Sequence, residues 1–387
     1  MTESLPATAG PLIAAVTVAE AAVAAPAASA APAPGHTEVQ RALDHAVAGG
    51  TPGIVAEIRD GSGTWFGSAG MADTETGRKR RQHEQFRIGS ATKAFTATVV
   101  LALAAEHKLS LDDTVDQWLP GLVKGDGYDG REITIRQLLN HTSGIFNYGN
   151  DKEFFATGQG AAWFEHRYDT YTPEQLVKVA LANPPYFEPG KGFGYSNTNY
   201  FLAAMIVEKA TGRTYSEELT RQIFRPLGLT GTYLPGGEAK IRGSHPVHYS
   251  TLFSPDANPK IYDATEMNQS FAWAAGGIVS TTSDLNRFFG ALLGGRLLPP
   301  AQQREMFTTV ATQNWIPDTR YGLGVFSQKL SCGVTAWGNA GATYGSWVYA
   351  MGSRDGEHMV TSQVNGDWSG LSVFDDVLAA EFCPAES

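Results

Sequence analysis

One stretch of this chain decides how the rest must fold: FRIGSATKAFTATVVLALAAEH, residues 86–107. From Ala91 onward it is rich in Ala, Val and Leu and contains neither Gly nor Pro, so it predicts a helix. Because apolar residues occur on most faces of that helix, we expect it to be buried. The other elements are therefore expected to pack around residues 91–107.

The same stretch opens with two residues that could do chemistry. Ser90 stands at the start of the predicted helix and Lys93 follows one turn later, so the two side chains lie on one face. A desolvated lysine has a lowered pKa and can act as a neutral base, and a helix N-terminus offers N–H groups to an oxyanion. The pair indicates a serine nucleophile beside its base, although a helix cap followed by a surface lysine gives the same motif.

The elements outward from this helix predict one sheet shared by both ends of the chain. Residues 39–47 have helical spacing, and residues 54–58 and 64–66 are typical of two strands joined at the Asp60-Gly61 turn. The second half of the chain contains short β-rich runs and a closing helix, at Ala275–Ser280, Gly322–Ser327, Gly333–Trp337, Ser346–Gly352, His358–Val364 and Leu371–Phe382.

Between these parts, the sequence turns helical. Helix-like segments occur at Ile133–Leu139, Pro173–Ala182, Asn199–Ala210 and Ser216–Phe224, joined by loops rich in Gly, Pro and aromatic residues. We therefore expect residues 121–240 to form an inserted helical lobe, and residues 36–120 and 241–387 to form one α/β sheet domain.

Composition excludes several classes of protein. The 387 residues are 42% hydrophobic, which is enough for a large core, and the net charge of −10 argues against binding to nucleic acid. The 19 Phe, 14 Tyr and 8 Trp residues disfavour disorder.

Residues 1–35 are predicted to be a signal or leader segment. Residues 1–40 contain 14 Ala and 5 Pro but neither Lys nor Arg, and an apolar run ends in Ala28-Ser29-Ala30, which is typical of a signal-peptidase site. We therefore expect the protein to be secreted; because no basic segment precedes the run, a disordered leader is the alternative. No other apolar run approaches the ~18–20 residues that span a bilayer, so no membrane span is expected.

The chain has two cysteines, Cys332 and Cys383. In an exported protein an even count favours a disulfide, but two buried free thiols agree equally well with the count alone.

Two further segments carry polar residues or glycines where function is common. Tyr195 and Asn197 project from a tight loop, FGYSNTNY at residues 193–200, where a tyrosine can relay a proton and an amide can hold a peptide group. The stretch WGNAGATYG, residues 337–345, is a glycine-interrupted strand edge of the kind that holds an extended peptide. The competing interpretations are a helix N-cap with a packed aromatic residue, and a bulged edge strand without a ligand.

In this order the three motifs resemble those of the penicillin-recognising serine hydrolases: S-x-x-K at Ser90–Lys93, Y-x-N at Tyr195–Asn197, and a strand motif at Asn339–Gly341. The segments 86–90, 138–144 (LLNHTSG) and 195–199, and the late cysteine pair, are similar to those of secreted serine DD-carboxypeptidases and D-stereospecific amidohydrolases. The resemblance implies a β-lactamase/DD-peptidase-like α/β (α+β) fold, in which helices flank an antiparallel sheet and an all-helical lobe is inserted. It also implies an acyl-enzyme mechanism without a cofactor, and a Cys332–Cys383 disulfide.

The resemblance assigns roles to the residues that match. Ser90 would attack the substrate carbonyl, Lys93 would take its proton, Tyr195 would shuttle protons, and Asn197 would hold the substrate amide. The backbone N–H groups of Ser90 and Ala342 would form the oxyanion hole. Whether Lys93 or Tyr195 is the base stays open, as it does for the base in related β-lactamases.

The departures from the family pattern bear on the substrate. Relatives that remove a C-terminal D-residue carry a cation and hydroxyls in the third motif and an arginine on the neighbouring strand, where this chain has Asn339, Ala340, Gly341, Ala342 and Phe326. A buried carboxylate without partners is strongly disfavoured, so an uncharged amide or ester leaving group fits better.

By alignment three aromatic residues, Phe271, Trp273 and Tyr344, fall near the cleft and are expected to form an acyl-side pocket that contacts the substrate. The pair His245 and His248 lacks a helical frame and a third ligand, so we expect a solvated loop there and no metal site.

The resulting hypothesis is a monomeric, secreted serine hydrolase that forms an acyl-enzyme with small D-aminoacyl amides, esters or peptides. The first alternative is a D-alanyl-D-alanine carboxypeptidase or transpeptidase. The second, from another class, is a non-catalytic ligand sensor of penicillin-binding type, since Asn339 replaces the usual cation.

Overall fold

The computed structural model describes residues 36–383. The predicted leader, residues 1–35, lies outside the described residues. The strands are β1 (Gly53–Asp60), β2 (Gly63–Asp73), β3 (Arg78–Lys79), β4 (Phe86–Arg87), β5 (Lys124–Gly125), β6 (Tyr128–Asp129), β7 (Tyr249–Ser250), β8 (Tyr262–Asp263), β9 (Val279–Ser280), β10 (Val310–Ala311), β11 (Thr319–Tyr321), β12 (Phe326–Lys329), β13 (Thr335–Thr343), β14 (Ser346–Gly352) and β15 (Met359–Val364).

The α-helices are α1 (Thr37–Ala48), α2 (Thr92–Ala105), α3 (Val115–Trp118), α4 (Ile135–Leu139), α5 (Lys152–Thr157), α6 (Ala162–His166), α7 (Pro173–Leu181), α8 (Asn197–Thr211), α9 (Tyr215–Leu219), α10 (Arg225–Leu227), α11 (Trp273–Gly276), α12 (Thr282–Leu293), α13 (Pro300–Met306) and α14 (Ser372–Phe382). Short 3₁₀ turns cover Gly89–Ala91 and Tyr148–Asn150, and a π-helical turn covers Thr220–Phe224.

Nine of the strands form one antiparallel sheet, in the order β10-β11-β12-β13-β14-β15-β1-β2-β3. Strand β1 pairs with β15 from Ile54↔Val364 to Arg59↔Met359, so the two ends of the chain share this sheet, as the sequence predicts. The observed architecture confirms the predicted α/β fold class, with helices packed on an antiparallel sheet.

Helices cover both faces of the sheet, which explains why residues 53–58 of β1 are buried without alternation. Helices α1 and α14 pack on one face through residues such as Leu43 and Phe374. Helices α2 and α12 pack on the other face, where Phe95 and Phe288 stack with ring centroids 3.6 Å apart.

Helix α2 lies at the centre of the larger core, as its composition predicts. Of its fourteen residues, 92–101 and Leu103 are buried, including Lys93 with no exposed surface. Helix α8, which follows the predicted Tyr195–Asn197 loop, packs against α2. The two helices therefore bring the first and second motifs together, although the motifs lie about a hundred residues apart in the sequence.

Two sets of contacts hold the C-terminal end of helix α14. A disulfide joins Cys332 to Cys383, with Cα atoms 5.8 Å apart, so the pairing that the resemblance implied is confirmed. In addition, the Glu381 carboxylate lies 2.8 Å from His36 Nδ1 and 2.7 Å from His358 Nε2. These contacts connect the end of α14 to the start of α1, to the β12–β13 turn and to the residue before β15.

Three of the predicted strands differ from the structure. The predicted strand Gly322–Ser327 is replaced by β12, which begins at Phe326 and ends at Lys329. Residues 273–276 form the helical turn α11, so the predicted strand Ala275–Ser280 shortens to Val279–Ser280. Strand β13 extends from Thr335 to Thr343, because its pairing with β14 continues through the third motif. Among residues 36–383, no helix is both long and apolar enough to cross a membrane.

Candidate active site

Ser90 lies in the 3₁₀ turn that leads into α2, directly against strand β13. The turn requires glycine at Gly89, which has φ +49°, since a Cβ there would lie 2.7 Å from both the N and the O of Ala342. A Cβ on Gly341 would lie 2.5 Å from Ser90 N. The two glycines therefore let the backbones of Ser90 and Ala342 approach closely. The N–H groups of these two residues are the ones that the resemblance assigns to an oxyanion hole.

Lys93 is fully buried, and its Nζ has three polar neighbours. It lies 3.1 Å from Ser90 Oγ, 2.7 Å from Asn197 Oδ1 and 2.8 Å from the carbonyl oxygen of Ala275. Burial holds the pKa of Lys93 well below its usual value. A neutral amine has two N–H donors, which suffice for Asn197 and Ala275, and its lone pair then faces the Ser90 hydroxyl.

Tyr195 is the second group on the Ser90 hydroxyl. Its OH donates to Ser90 Oγ at 2.7 Å. Burial and the neighbouring Tyr321 raise the pKa of Tyr195 well above its usual value, so the phenol keeps its proton at neutral pH. The Tyr195 ring lies between Trp315, stacked at 5.7 Å, and His141, at 4.4 Å between ring centroids. These two rings fix the direction of the hydroxyl.

The loop before α8 is held by the segment that follows α4. Asn197 N donates to Asn147 Oδ1 at 3.1 Å, and Ser196 N donates to His141 Nδ1 at 3.2 Å. His141 is fully buried, and burial together with Lys93 holds its pKa well below the usual value, so the imidazole is neutral. The competing interpretation, a helix N-cap at Asn197, is not what forms: α8 begins at Asn197, and its N-cap is Ser196.

Two adjoining spaces open around Ser90. We call the first the cleft; it is lined by Gly89, Ser90, Tyr148, Asn197, Phe271, Ala272, Ala275, Gly276, Ala342 and Thr343. We call the second the chamber; its wall includes the rings of Phe154, Phe155, Trp163, Phe253, Phe271 and Tyr344. Tyr148 and Phe271 line both spaces, so the chamber begins where the cleft ends.

The predicted substrate contacts are only partly brought to these spaces. Phe271 and Tyr344 lie on the chamber wall, with ring centroids 6.2 Å apart. The structure does not bring Trp273 to either of them: its ring packs on Phe201 and Tyr215. The helical turn α11 causes this difference, because a helical turn points Phe271 and Trp273 in different directions.

The third motif is placed beside Ser90 but uses its polar groups internally. Asn339 donates from Nδ2 to the Gly324 carbonyl at 2.7 Å and accepts the Ala340 N–H on Oδ1 at 2.7 Å. Gly341 meets the Ser90 backbone. Of this motif, Ala342 lines the cleft and the side chain of Asn339 does not.

An aromatic cluster surrounds Phe326, the residue that stands where the resemblance predicts an arginine. Phe326 is fully buried and packs on Trp315, Tyr321 and Tyr349, with centroids 5.1 to 6.5 Å apart. Trp315 in turn stacks on Tyr195. This side of the site is therefore lined mainly by aromatic rings, and among the described residues no cation contacts the rings of Phe326, Trp315 or Tyr349.

The expected solvated loop at His245 and His248 is wrong for one of the two residues. His248 is fully buried, and its Nδ1 lies 3.5 Å from Arg87 Nη1. Burial of the ring, together with the charge of Arg87, holds the pKa of the imidazole well below its usual value. The loop packs beneath the sheet edge because Asn365 bonds the Val247 carbonyl. Long-range contacts of this kind leave no local signal.

Sequence reasoning missed three groups that touch the site. They are Tyr148, which lines both spaces; the Ala275 carbonyl, which accepts from Lys93; and Trp315, which stacks on Tyr195. Tyr148 stands four residues after the HTSG segment, which is the one signal that could have marked it. The other two come from segments that are distant in sequence and have no motif of their own: Ala275 lies in α11 and Trp315 in a loop.

Comparison with known proteins places this geometry in a family. The family model described as Beta-lactamase matches residues 39–368. The chain belongs to the beta-lactamase family. This confirms the resemblance drawn from the three motifs.

Among solved structures, this beta-lactamase-family chain is similar to a D-stereospecific amidohydrolase from Streptomyces sp., with 46% identity and a TM-score of 0.85 over 91% of this chain and 100% of that one. It is also similar to the D-amino acid amidase of Ochrobactrum anthropi SV3 in complex with L-phenylalanine amide, with 27% identity and a TM-score of 0.77 over 89% of this chain and 97% of that one.

A third relative is Penicillin-binding protein 4* of Bacillus subtilis (strain 168), which is 31% identical over 272 residues. The match covers 68% of this chain but only 56% of the length of that protein. The family and fold are thus shared with proteins of differing names, and the substrate has to be argued from the site.

Proposed function

We propose that this protein is a serine hydrolase that acylates Ser90 with a D-aminoacyl group taken from an amide, ester or peptide, and then passes that group to water or an amine. One observation carries the proposal: Ser90 Oγ lies 3.1 Å from a buried lysine amine and accepts a 2.7 Å hydrogen bond from the phenol of Tyr195, which is partly buried. That arrangement suits a nucleophile with a base and a proton relay.

The protonation states favour Lys93 as the base. Its pKa is lowered by burial, whereas the pKa of Tyr195 is raised, so the amine and not the phenol is the group that can accept a proton at neutral pH. In the proposed acylation, Ser90 Oγ bonds to the carbonyl carbon while its proton passes to Lys93 Nζ. The bond to the leaving amine or alcohol then breaks, and Tyr195 gives that group a proton and regains one from Lys93.

Deacylation repeats these steps with water in place of the leaving group. Water attacks the Ser90 ester, loses its proton through Tyr195 and Lys93, and returns Ser90 to its hydroxyl form. In both steps the N–H groups of Ser90 and Ala342 would stabilise the oxyanion, and Asn197, whose Oδ1 is taken by Lys93, would offer Nδ2 to a substrate carbonyl.

The leaving group is proposed to be uncharged. Phe326 and Trp315 form an apolar wall beside Tyr195, and the polar atoms of Asn339 are already paired. A carboxylate placed there would lose its hydration without gaining a cation as its partner. The names of the similar amidohydrolase and amidase support the D-aminoacyl amide as substrate class.

The predicted secretion belongs to this proposal too. It rests on the leader composition and on the Cys332–Cys383 disulfide, since disulfides persist in oxidising compartments. The monomeric state stays a prediction.

The testing experiment compares the hydrolysis of D-Phe-amide, L-Phe-amide and an N-acylated D-Ala-D-Ala peptide by the purified protein, with Ser90→Ala as control. We expect turnover of the D-amide alone, and a mass increase of one acyl group on wild type that Ser90→Ala lacks. If Ser90→Ala hydrolyses the D-amide at the wild-type rate, the mechanism is wrong.

A second candidate is a DD-carboxypeptidase or transpeptidase, favoured by the 31% identity to Penicillin-binding protein 4*. It predicts faster turnover of the D-Ala-D-Ala peptide than of D-Phe-amide, together with covalent labelling by a fluorescent penicillin. That outcome would mean that the aromatic wall at Phe326 opens to admit a carboxylate.

A further inference from the structure

The chamber is large compared with the cleft that holds Ser90. It contains about 650 Å³ of space against about 290 Å³ for the cleft, with open solvent at the mouth included in both values. Half of the residues that line it are Phe, Tyr or Trp, among them Phe154, Phe155, Trp163 and Phe253. The cleft offers little apolar surface, besides Tyr148 and Phe271, to the substrate residue that reacts with Ser90. The apolar binding energy for the acyl group is therefore concentrated in the chamber.

Strand β13 leads from the cleft into the chamber. Ala342 and Thr343 line the cleft, and the next residue, Tyr344, lines the chamber. An acyl chain that lies extended along this strand advances about 3.3 Å per residue. In a substrate bound this way, the residue that precedes the one attached to Ser90 therefore lies in the chamber.

The opposite direction is closed to the acyl group. Tyr195, which would give a proton to the leaving group, stacks on Trp315, and Trp315 packs on Phe326. The leaving group therefore belongs on the Trp315 side of Ser90. The acyl group has to run the other way, past Phe271 towards Tyr344.

Charge separates the two spaces as well. None of the ten described residues that line the cleft is a carboxylate, so a free α-ammonium group beside Ser90 would be desolvated without a counter-charge. The chamber contains Asp169, whose Oδ2 lies 2.8 Å from His166 Nδ1. The chamber also contains Arg167, whose guanidinium lies over the rings of Tyr168 and Trp163, at 4.6 and 5.1 Å.

We infer that the preferred acyl donor is a dipeptidyl unit: a D-residue at Ser90 preceded by one apolar or aromatic residue, whose ring enters the chamber and whose terminal ammonium pairs with Asp169. This inference rests on the proposed acylation of Ser90 and names the substrate class of that site. The enzyme then releases dipeptides with a C-terminal D-residue in preference to single D-amino acids.

The first test needs no variant. The wild-type protein is assayed with D-Phe-amide, L-Phe-D-Phe-amide and N-acetyl-L-Phe-D-Phe-amide. We expect kcat/KM for L-Phe-D-Phe-amide to exceed that for D-Phe-amide by on the order of tenfold or more, since an extra buried apolar group has about that effect. N-acetylation of the dipeptidyl amide should remove part of that advantage. Equal or faster turnover of D-Phe-amide overturns the inference.

The second test blocks the chamber. Thr157 lines it and lies outside the Ser90 contacts, so Thr157→Trp should remove the advantage in kcat/KM of L-Phe-D-Phe-amide over D-Phe-amide. Thr230→Trp, at an exposed turn, is the matched control and should change neither rate. Asp169→Asn should lower kcat/KM for L-Phe-D-Phe-amide, which has a free ammonium group, and should leave kcat/KM for N-acetyl-L-Phe-D-Phe-amide unchanged.

The two proposals fail in different ways. If D-Phe-amide is the better substrate and Ser90→Ala abolishes its turnover, the proposed function stands and the dipeptidyl inference is wrong. If Ser90→Ala leaves amide turnover unchanged, the acyl-enzyme is wrong and the dipeptidyl inference falls with it.

Discussion

Replacement of Tyr195 by Phe decides whether its hydroxyl transfers a proton or only orients Ser90. The substitution removes one OH, at 2.7 Å from Ser90 Oγ, and keeps the ring that stacks on Trp315 and His141. Loss of one orienting hydrogen bond costs about 0.5–1.5 kcal/mol, which is at most about tenfold in rate. Loss of a proton relay costs about 10²–10⁴-fold, or roughly 3–5 kcal/mol in the activation free energy.

We expect the larger effect, because Tyr195 is the one phenol that donates to Ser90 among the described residues, and its raised pKa keeps it protonated. The assay is kcat/KM for D-Phe-amide, with thermal unfolding measured in parallel. Tyr349→Phe is the matched control: Tyr349 is also buried, but within the described residues its hydroxyl has no hydrogen-bond partner, so its loss should leave activity unchanged. A Tyr195→Phe rate within tenfold of wild type refutes the relay.

Three more predictions follow from the same contacts. Because burial lowers the pKa of Lys93, activity should fall as the pH drops through that lowered pKa, where the amine becomes charged. Lys93→Arg should lower kcat/KM by about 10²–10⁴-fold. A pH–rate profile without an acid limb contradicts this prediction. The Cys332→Ser/Cys383→Ser double variant should lose about 4 kcal/mol in the free energy of unfolding, because the bond spans 51 residues and restricts the unfolded chain. Urea denaturation measures this loss. A loss below about 1 kcal/mol contradicts the explanation by unfolded-chain entropy. Gly89→Ala should fold but form the acyl-enzyme at least about 100-fold more slowly, because its Cβ would lie 2.7 Å from the Ala342 backbone, whose N–H belongs to the proposed oxyanion hole. Mass spectrometry measures the rate of acyl-adduct formation. A wild-type rate shows that this explanation is wrong.

The proposed nucleophile and base were open to prediction because their proximity depends on local geometry. Ser90 and Lys93 lie three residues apart, and a helical turn alone brings their side chains to one face. The buried character of α2 also follows from its composition, but the motif by itself allowed a surface lysine, and it is the structure that buries Lys93. The disulfide required more, since the cysteine count left two outcomes open until the family resemblance was added.

The rest of the site depends on residues that are far apart in sequence. Trp315 reaches Tyr195 from a loop 120 residues further along the chain, and the Ala275 carbonyl reaches Lys93 across 182 residues. Trp273 was expected at the substrate and instead packs in the core, because residues 273–276 form a helical turn. His248 was expected in solvent and is buried beside Arg87.

By itself, then, the sequence determined the chemistry that one helical turn can assemble, the α/β class, and the sharing of one sheet by both chain ends. Hydrophobic periodicity and residue spacing are local properties, and they carry that information directly. The tertiary structure alone decided which groups face Ser90 from elsewhere, how the aromatic cluster closes one side, and that the chamber opens on the other. Those features arise where separate elements pack against each other, and packing depends on side-chain shape and not on spacing along the chain.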